Sequence, residues 1–149
     1  MTTTGALMSA SQVVPFTSAG VFSFGMDRSE CSRLAGPPDS TRYNAGLELH
    51  EERRASIQLD FGEHDQALNC VWFLGDASVR LEGLNPFDKA DLETLKERYP
   101  DTAEYGAYLH FPSLGVIVAG MGKKKLKEGR LLISASRERY KFLRWMGKV

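Results

Sequence analysis

The chain has 149 residues, 42% hydrophobic and 26% charged, and a formal net charge of zero. That profile fits one ordinary globular body and excludes a disulfide scaffold, a low-complexity chain or a polypeptide of one dominant charge sign. The neutrality hides segregation: residues 1–120 hold 9 Lys/Arg against 17 Asp/Glu, and residues 121–149 hold 10 against 2.

In chain order, residues 1–12 are rich in Thr, Ser and Ala without a period, and a disordered tail is expected there. No charged leader precedes an unbroken apolar run. No signal peptide, membrane span or membrane partner is therefore expected, and the cytoplasm is the expected compartment. Val21–Phe24 leads into a helix capped by Asp27, with Glu30 three residues on. Cys31, Leu34 and Ala35 form its buried stripe, and Gly36 with Pro37-Pro38 ends it. Leu47 and Leu49 then alternate with Glu48 and His50, and Glu51–Arg54 reads as an exposed turn. Ile57, Leu59 and Phe61 have the period-2 pattern of a half-wet strand, Gly62–Asp65 a hairpin loop, and Leu68–Leu74 a returning strand.

A second run starts at Val79 and Leu81. Asp88 caps a helix whose stripe is Leu92, Leu95 and Tyr99, and Pro100 stops it. Strands are expected over Tyr105–Phe111, Leu114–Ala119 and Arg130–Ser136, the last two joined by a long basic loop with Lys123–Lys125 and Lys127. Tyr140–Met146 fits a strand or a short helix, its aromatics packing on the core.

The helix starts at Met26–Leu34 and Phe87–Leu95 echo each other 61 residues apart. Both place Asp, an acid three residues later, an apolar residue at the fourth and Leu at the seventh. The expected fold is α+β: two tandem helix-plus-antiparallel-strands repeats sharing one sheet, helices on one face. Residues 13–149 would form a single domain, with repeat one at about 20–75 and repeat two at about 79–146. The other sheet face would remain open to grip a partner.

The run Phe22-Ser23-Phe24-Gly25-Met26-Asp27 through Glu30, Leu34, Gly36 and Pro37 resembles the signature of SmpA/BamE-like small lipoproteins. Doubling of such a unit resembles the β-lactamase inhibitory proteins, whose two repeats form a concave sheet backed by helices. A wider resemblance is to bacterial immunity proteins, which occlude the active site of a toxin. It implies a non-enzymatic, protein-binding inhibitor whose partner is a cognate toxin or enzyme domain. A small ligand-binding protein or enzyme using the concave face is the alternative, and an envelope-assembly adaptor a third reading.

The residues themselves supply no catalytic or metal motif. His50, His64 and His110 have no ligand spacing, Cys31 and Cys70 stand outside any CxxC pair, and no cofactor is expected. Both cysteines read as buried thiols, although spacing leaves a disulfide open. Glu48, Glu51, Glu52, Asp60, Glu63 and Asp65 are the expected partner-binding acids, able to steer a basic partner. Tyr43, Tyr105 and Tyr108 are the expected aromatic anchors. The basic loop and the aromatics after it are also what nucleic-acid binding requires. An acidic remainder that would repel phosphate argues against nucleic acid as the partner.

Overall fold

The computed structural model describes residues 10–127 and 129–148. Of the expected tail, residues 1–9 lie outside the described residues, while Ser11 and Gln12 already belong to a strand. The order is β1 (Ser11–Val14), β2 (Ser18–Ala19), β3 (Phe22–Ser23), α1 (Arg28–Ala35) and β4 (Ser40–Asn44). Next come β5 (Leu49–Arg54), β6 (Ile57–Gly62), β7 (Leu68–Leu74), β8 (Val79–Leu81) and α2 (Lys89–Arg98). The chain continues through β9 (Ala103–Tyr105), β10 (Tyr108–Phe111), β11 (Val116–Ala119), β12 (Leu131–Ala135) and α3 (Arg137–Leu143).

Eight strands form one antiparallel sheet in the order β4-β5-β6-β7-β12-β11-β10-β9, closed in the middle by β7 against β12. A second sheet runs β3-β2-β1-β8, with β1 and β8 parallel. One face of the large sheet, here the inner face, presents Ile57, Leu59, Phe61, Val71, Phe73, Val116, Val118 and Leu132. The small sheet covers it with Val13, Ala19, Phe22, Val79 and Leu81, α1 with Cys31 and Ala35, and α2 with Leu92 and Leu95. On the outer face Cys70, Ile117, Ala119, Ile133 and Ala135 pack beneath Tyr140 and Leu143 of α3. Leu126 and Met146 complete that second cluster.

The expected α+β architecture of two helix-plus-strands repeats is therefore corrected. Among the described residues the protein is mostly β, twelve strands in two sheets with three short helices. The helices do not share one face: α1 and α2 pack on the inner cluster and α3 on the outer one. Nor is the outer face an open platform. From β7 to β10 it is covered by α3, the segment after it and Leu126, and on β4–β6 Ser40, Arg42 and Arg53 are exposed while Glu51 and Asp60 are buried.

Local readings shift for definite reasons. Glu51–Arg54 is strand, because Glu52 and Arg54 face inward as an ion pair beneath α1 and the turn falls at Ala55, with φ at 50°. Tyr105–Phe111 is two strands, since Gly106 turns the chain at φ 63°. Tyr140–Met146 begins as helix, capped by the Ser136 hydroxyl accepting from the Arg139 amide at 3.2 Å. Its aromatics divide: Tyr140 is buried, whereas Phe142 is 73% and Trp145 58% exposed. Both helix starts have the expected caps, with Asp27 accepting from Glu30 N at 2.8 Å and Asp88 from Asp91 N at 3.0 Å. Cys31 and Cys70 are buried free thiols, and burial pushes Cys31 up to about 11 and Cys70 well above its ordinary value.

Candidate functional site

Strand register sorts the loops into two ends of the large sheet. Leu49 opposite Gly62 and Cys70 opposite Ala135 put the β4–β5 turn, the β6–β7 loop and the start of α3 at one end. Leu74 opposite Leu131 and Tyr108 opposite Ala119 put the β9–β10 turn and the basic β11–β12 loop at the other.

The first end holds a cleft of about 830 Å³ between the two loops and α3. Phe24, Leu49 and Leu68 contribute apolar walls, and Leu47 of the β4–β5 turn and Phe142 of α3 also line it. Leu47 is 52% exposed and Phe142 73%, two large apolar side chains at the surface that line the same cleft. Glu48, Glu63, Asp65 and Glu138 also line it. Glu48 occupies a left-handed turn position at φ 55°, which holds it on the rim. Asp65 caps its loop by accepting from Ala67 N at 3.0 Å. Arg139 lines the cleft from α3 but is 9% exposed. His64 hangs into solvent, 3.9 Å from Glu63. Tyr43 is 46% exposed, and its hydrogen bond to Glu63 raises its phenol above the ordinary value.

The nine residues expected to bind a partner thus divide into four places. Glu48, Glu63 and Asp65 meet at the cleft, with Tyr43 joined to them through Glu63. Glu51 and Asp60 lie on the outer face of β5 and β6. Glu51 is 8% exposed and accepts from Arg42 Nε at 2.8 Å. Asp60 is 1% exposed and accepts from Gln58 Nε2 at 3.0 Å and Trp72 Nε1 at 2.7 Å. Glu52 faces the other way, clamped between Arg28 at 2.8 Å and Arg54 at 2.9 Å, and its side chain is 4% exposed. Tyr105 and Tyr108 sit at the far end of the sheet. Tyr105 lies beneath Lys148, and Tyr108 packs on the outer cluster.

His50 and His110 do not face one another. His50 stacks at 5.1 Å on Tyr43, while His110 is buried and donates from Nε2 to the Met146 carbonyl at 2.8 Å. Among the described residues, no group of three or more His, Cys, Asp or Glu is placed to hold a metal ion. None of their helices is long and apolar enough to cross a membrane.

Sequence reasoning missed Leu47, Phe142 and Glu138. The legible signal for Phe142 is its position off the Tyr140–Leu143 stripe, where a buried ring would not fall. Leu47 follows Gly46 in a turn rather than starting the strand. No protein-family model matches the chain, and neither does any curated protein or solved structure.

Proposed function

We propose that the protein is a non-enzymatic inhibitor of the immunity type, which plugs a cognate toxin or enzyme domain with the acidic end of its large sheet. One observation carries this reading: two solvated apolar side chains, Leu47 and Phe142, line an apolar-walled cleft together with four acids. Apolar anchors beside a recess supply binding energy, and an excess of acids around it, with Glu138 paired to Lys141 at 3.6 Å and Arg139 largely buried, sets encounter rate and partner choice. The chemistry suits a basic partner face with an apolar projection. Mechanism is steric occlusion, with Glu48, Glu63, Asp65 and Glu138 steering the approach. The contact surface is this sheet end, not the sheet face.

Co-expression with the product of the adjacent gene tests the proposal. The expected result is a complex of fixed stoichiometry in which the partner's activity is lost, with association slowing as salt rises. Two purified proteins that stay apart at low salt, with the partner's activity intact, would overturn it.

A ligand-binding reading has one observation in its favour. A hollow of about 280 Å³ lies over Ser40, Thr41, Arg42, Glu51, Arg53 and Gln58, by the open part of the outer face. A metabolite retained through purification and identified by mass spectrometry would favour it.

A further inference from the structure

We propose that the opposite, basic end of the large sheet binds single-stranded nucleic acid, stacking a base on Trp145 and holding phosphates on the cations around it. This surface shares no residue with the acidic cleft, so it stands or falls separately from the inhibitor reading.

Two segments converge there. The β11–β12 loop is tied down by Gly120 N donating to the Ala107 carbonyl at 3.0 Å and by Arg130 Nε donating to the Gly75 carbonyl at 3.0 Å. Within it Leu126 packs on the outer-face cluster, while Lys123, Lys124, Lys125 and Lys127 are exposed. The segment after α3 arrives from the other side. Met146 packs on the same cluster, its carbonyl taking the His110 hydrogen bond, and a Cβ at Gly147 would collide with the Tyr105 carbonyl. That close passage fixes Trp145 at the surface, 58% exposed. The Arg144 guanidinium lies 5.5 Å and the Lys148 ammonium 5.0 Å from its ring centroid, and Lys148 also covers Tyr105 at 4.7 Å.

Among the described residues, none of Lys123, Lys124, Lys125, Lys127, Arg144 and Lys148 has an ion-pair partner. Among the described residues, Glu104 is an acid beside the loop, next to Gly122, and the loop's sequence also contains Glu128. An exposed indole set among cations that have no ion-pair partner among the described residues is the arrangement single strands require, one ring for a base and charges for the flanking phosphates. A lipid surface fits less well. It needs a broad apolar face, and Trp145 stands alone here, since Phe142 belongs to the acidic cleft. Read along the sequence, the acidic remainder argues against phosphate; the fold removes that objection. The seven residues of β7 separate the two ends by about 20 Å at ~3.3 Å per residue, roughly twice the ~10 Å screening length at 0.1 M salt.

The test is fluorescence anisotropy of a labelled, mixed-sequence single-stranded oligonucleotide titrated with the full chain over a salt series. Binding is expected at low salt, with log K falling against log salt at a slope between about −3 and −4, near −0.7 per phosphate contact. Trp145→Ala should weaken it about tenfold with the slope unchanged. Lys123→Glu/Lys124→Glu/Lys125→Glu should flatten the slope by about 2. All four positions are exposed, so urea unfolding should match the parent, and Glu63→Gln should leave binding intact. No binding at low salt overturns the proposal, as does binding that survives both basic-end variants. Retention on phosphatidylserine vesicles without oligonucleotide binding would assign the surface to lipid instead.

Discussion

Asp60 carries an unusual electrostatic load for a residue on a strand. Its carboxylate is buried, and burial pushes it up to about 6, against the two hydrogen bonds it accepts from Gln58 and Trp72. Glu51 pushes the same way, and Arg139 opposes it. A carboxyl raised above its ordinary 3.8 binds a proton more tightly in the folded state. Its ionisation therefore costs stability above pH 6, and that cost disappears as pH falls from about 6 to about 4. Two pH units correspond to at most about 3 kcal/mol. Buried His110 is held below its ordinary value and works in the opposite sense in an overlapping window. Comparing Asp60→Asn with the parent cancels the His110 contribution. Urea unfolding at pH 4 and pH 7 should show the variant gaining on the parent as pH rises. A difference that stays constant between the two would show that Asp60 does not titrate in this range.

At the scale of elements, α1 is attached to the large sheet by charge as well as by Cys31 and Ala35. Arg28 of α1 and Arg54 of β5 both donate to Glu52, and Arg54 also reaches Ser32 Oγ at 3.0 Å and the Gly36 carbonyl at 3.0 Å. Glu52→Gln leaves Arg54, 2% exposed, without its counter-charge. The expected loss is about 3 kcal/mol in urea unfolding, the scale for breaking one partner of a buried pair. A loss well under 1 kcal/mol would mean that α1 is held by its apolar contacts alone.

The same strand shows what could be read from the sequence. Asp27 and Asp88 announce their helices because a cap is a local signal, and Ile57, Leu59 and Phe61 announce β6 because only one face is apolar. Glu51–Arg54 resembles a turn in sequence, since α1, which buries its Glu52–Arg54 ion pair, lies some twenty residues away. β4, Ser40–Asn44, is an edge strand exposed over most of its length, so it has no hydrophobic alternation to detect. The small sheet is equally invisible, because β1 pairs in parallel with β8 across more than sixty residues. Of the candidate site, the acids of the β6–β7 loop were legible as a charged hairpin. The cleft was not, because Phe142 comes to it from a helix nearly eighty residues further along.

For the whole molecule, the fold turns a charge imbalance along the sequence into one across space. Acids gather where the β4–β5 and β6–β7 loops meet α3, and lysines gather at the other end of the same strands. The outer face between them is largely closed by α3, so recognition falls to the ends of the sheet. A partner that docks at the acidic end should bind equally well to a protein carrying the Lys123–Lys125 charge reversals.

Calorimetric titration of the adjacent gene's product into the parent chain, and into Leu47→Asp/Phe142→Asp, tests the inhibitor reading most directly. Both substitutions are at solvated positions, so the fold and its unfolding midpoint should persist. The parent is predicted to saturate at a fixed stoichiometry and the double variant to lose at least a hundredfold in affinity, about 3 kcal/mol from two apolar anchors. Equal affinity for the two proteins, or no heat of binding with the parent, would contradict the account.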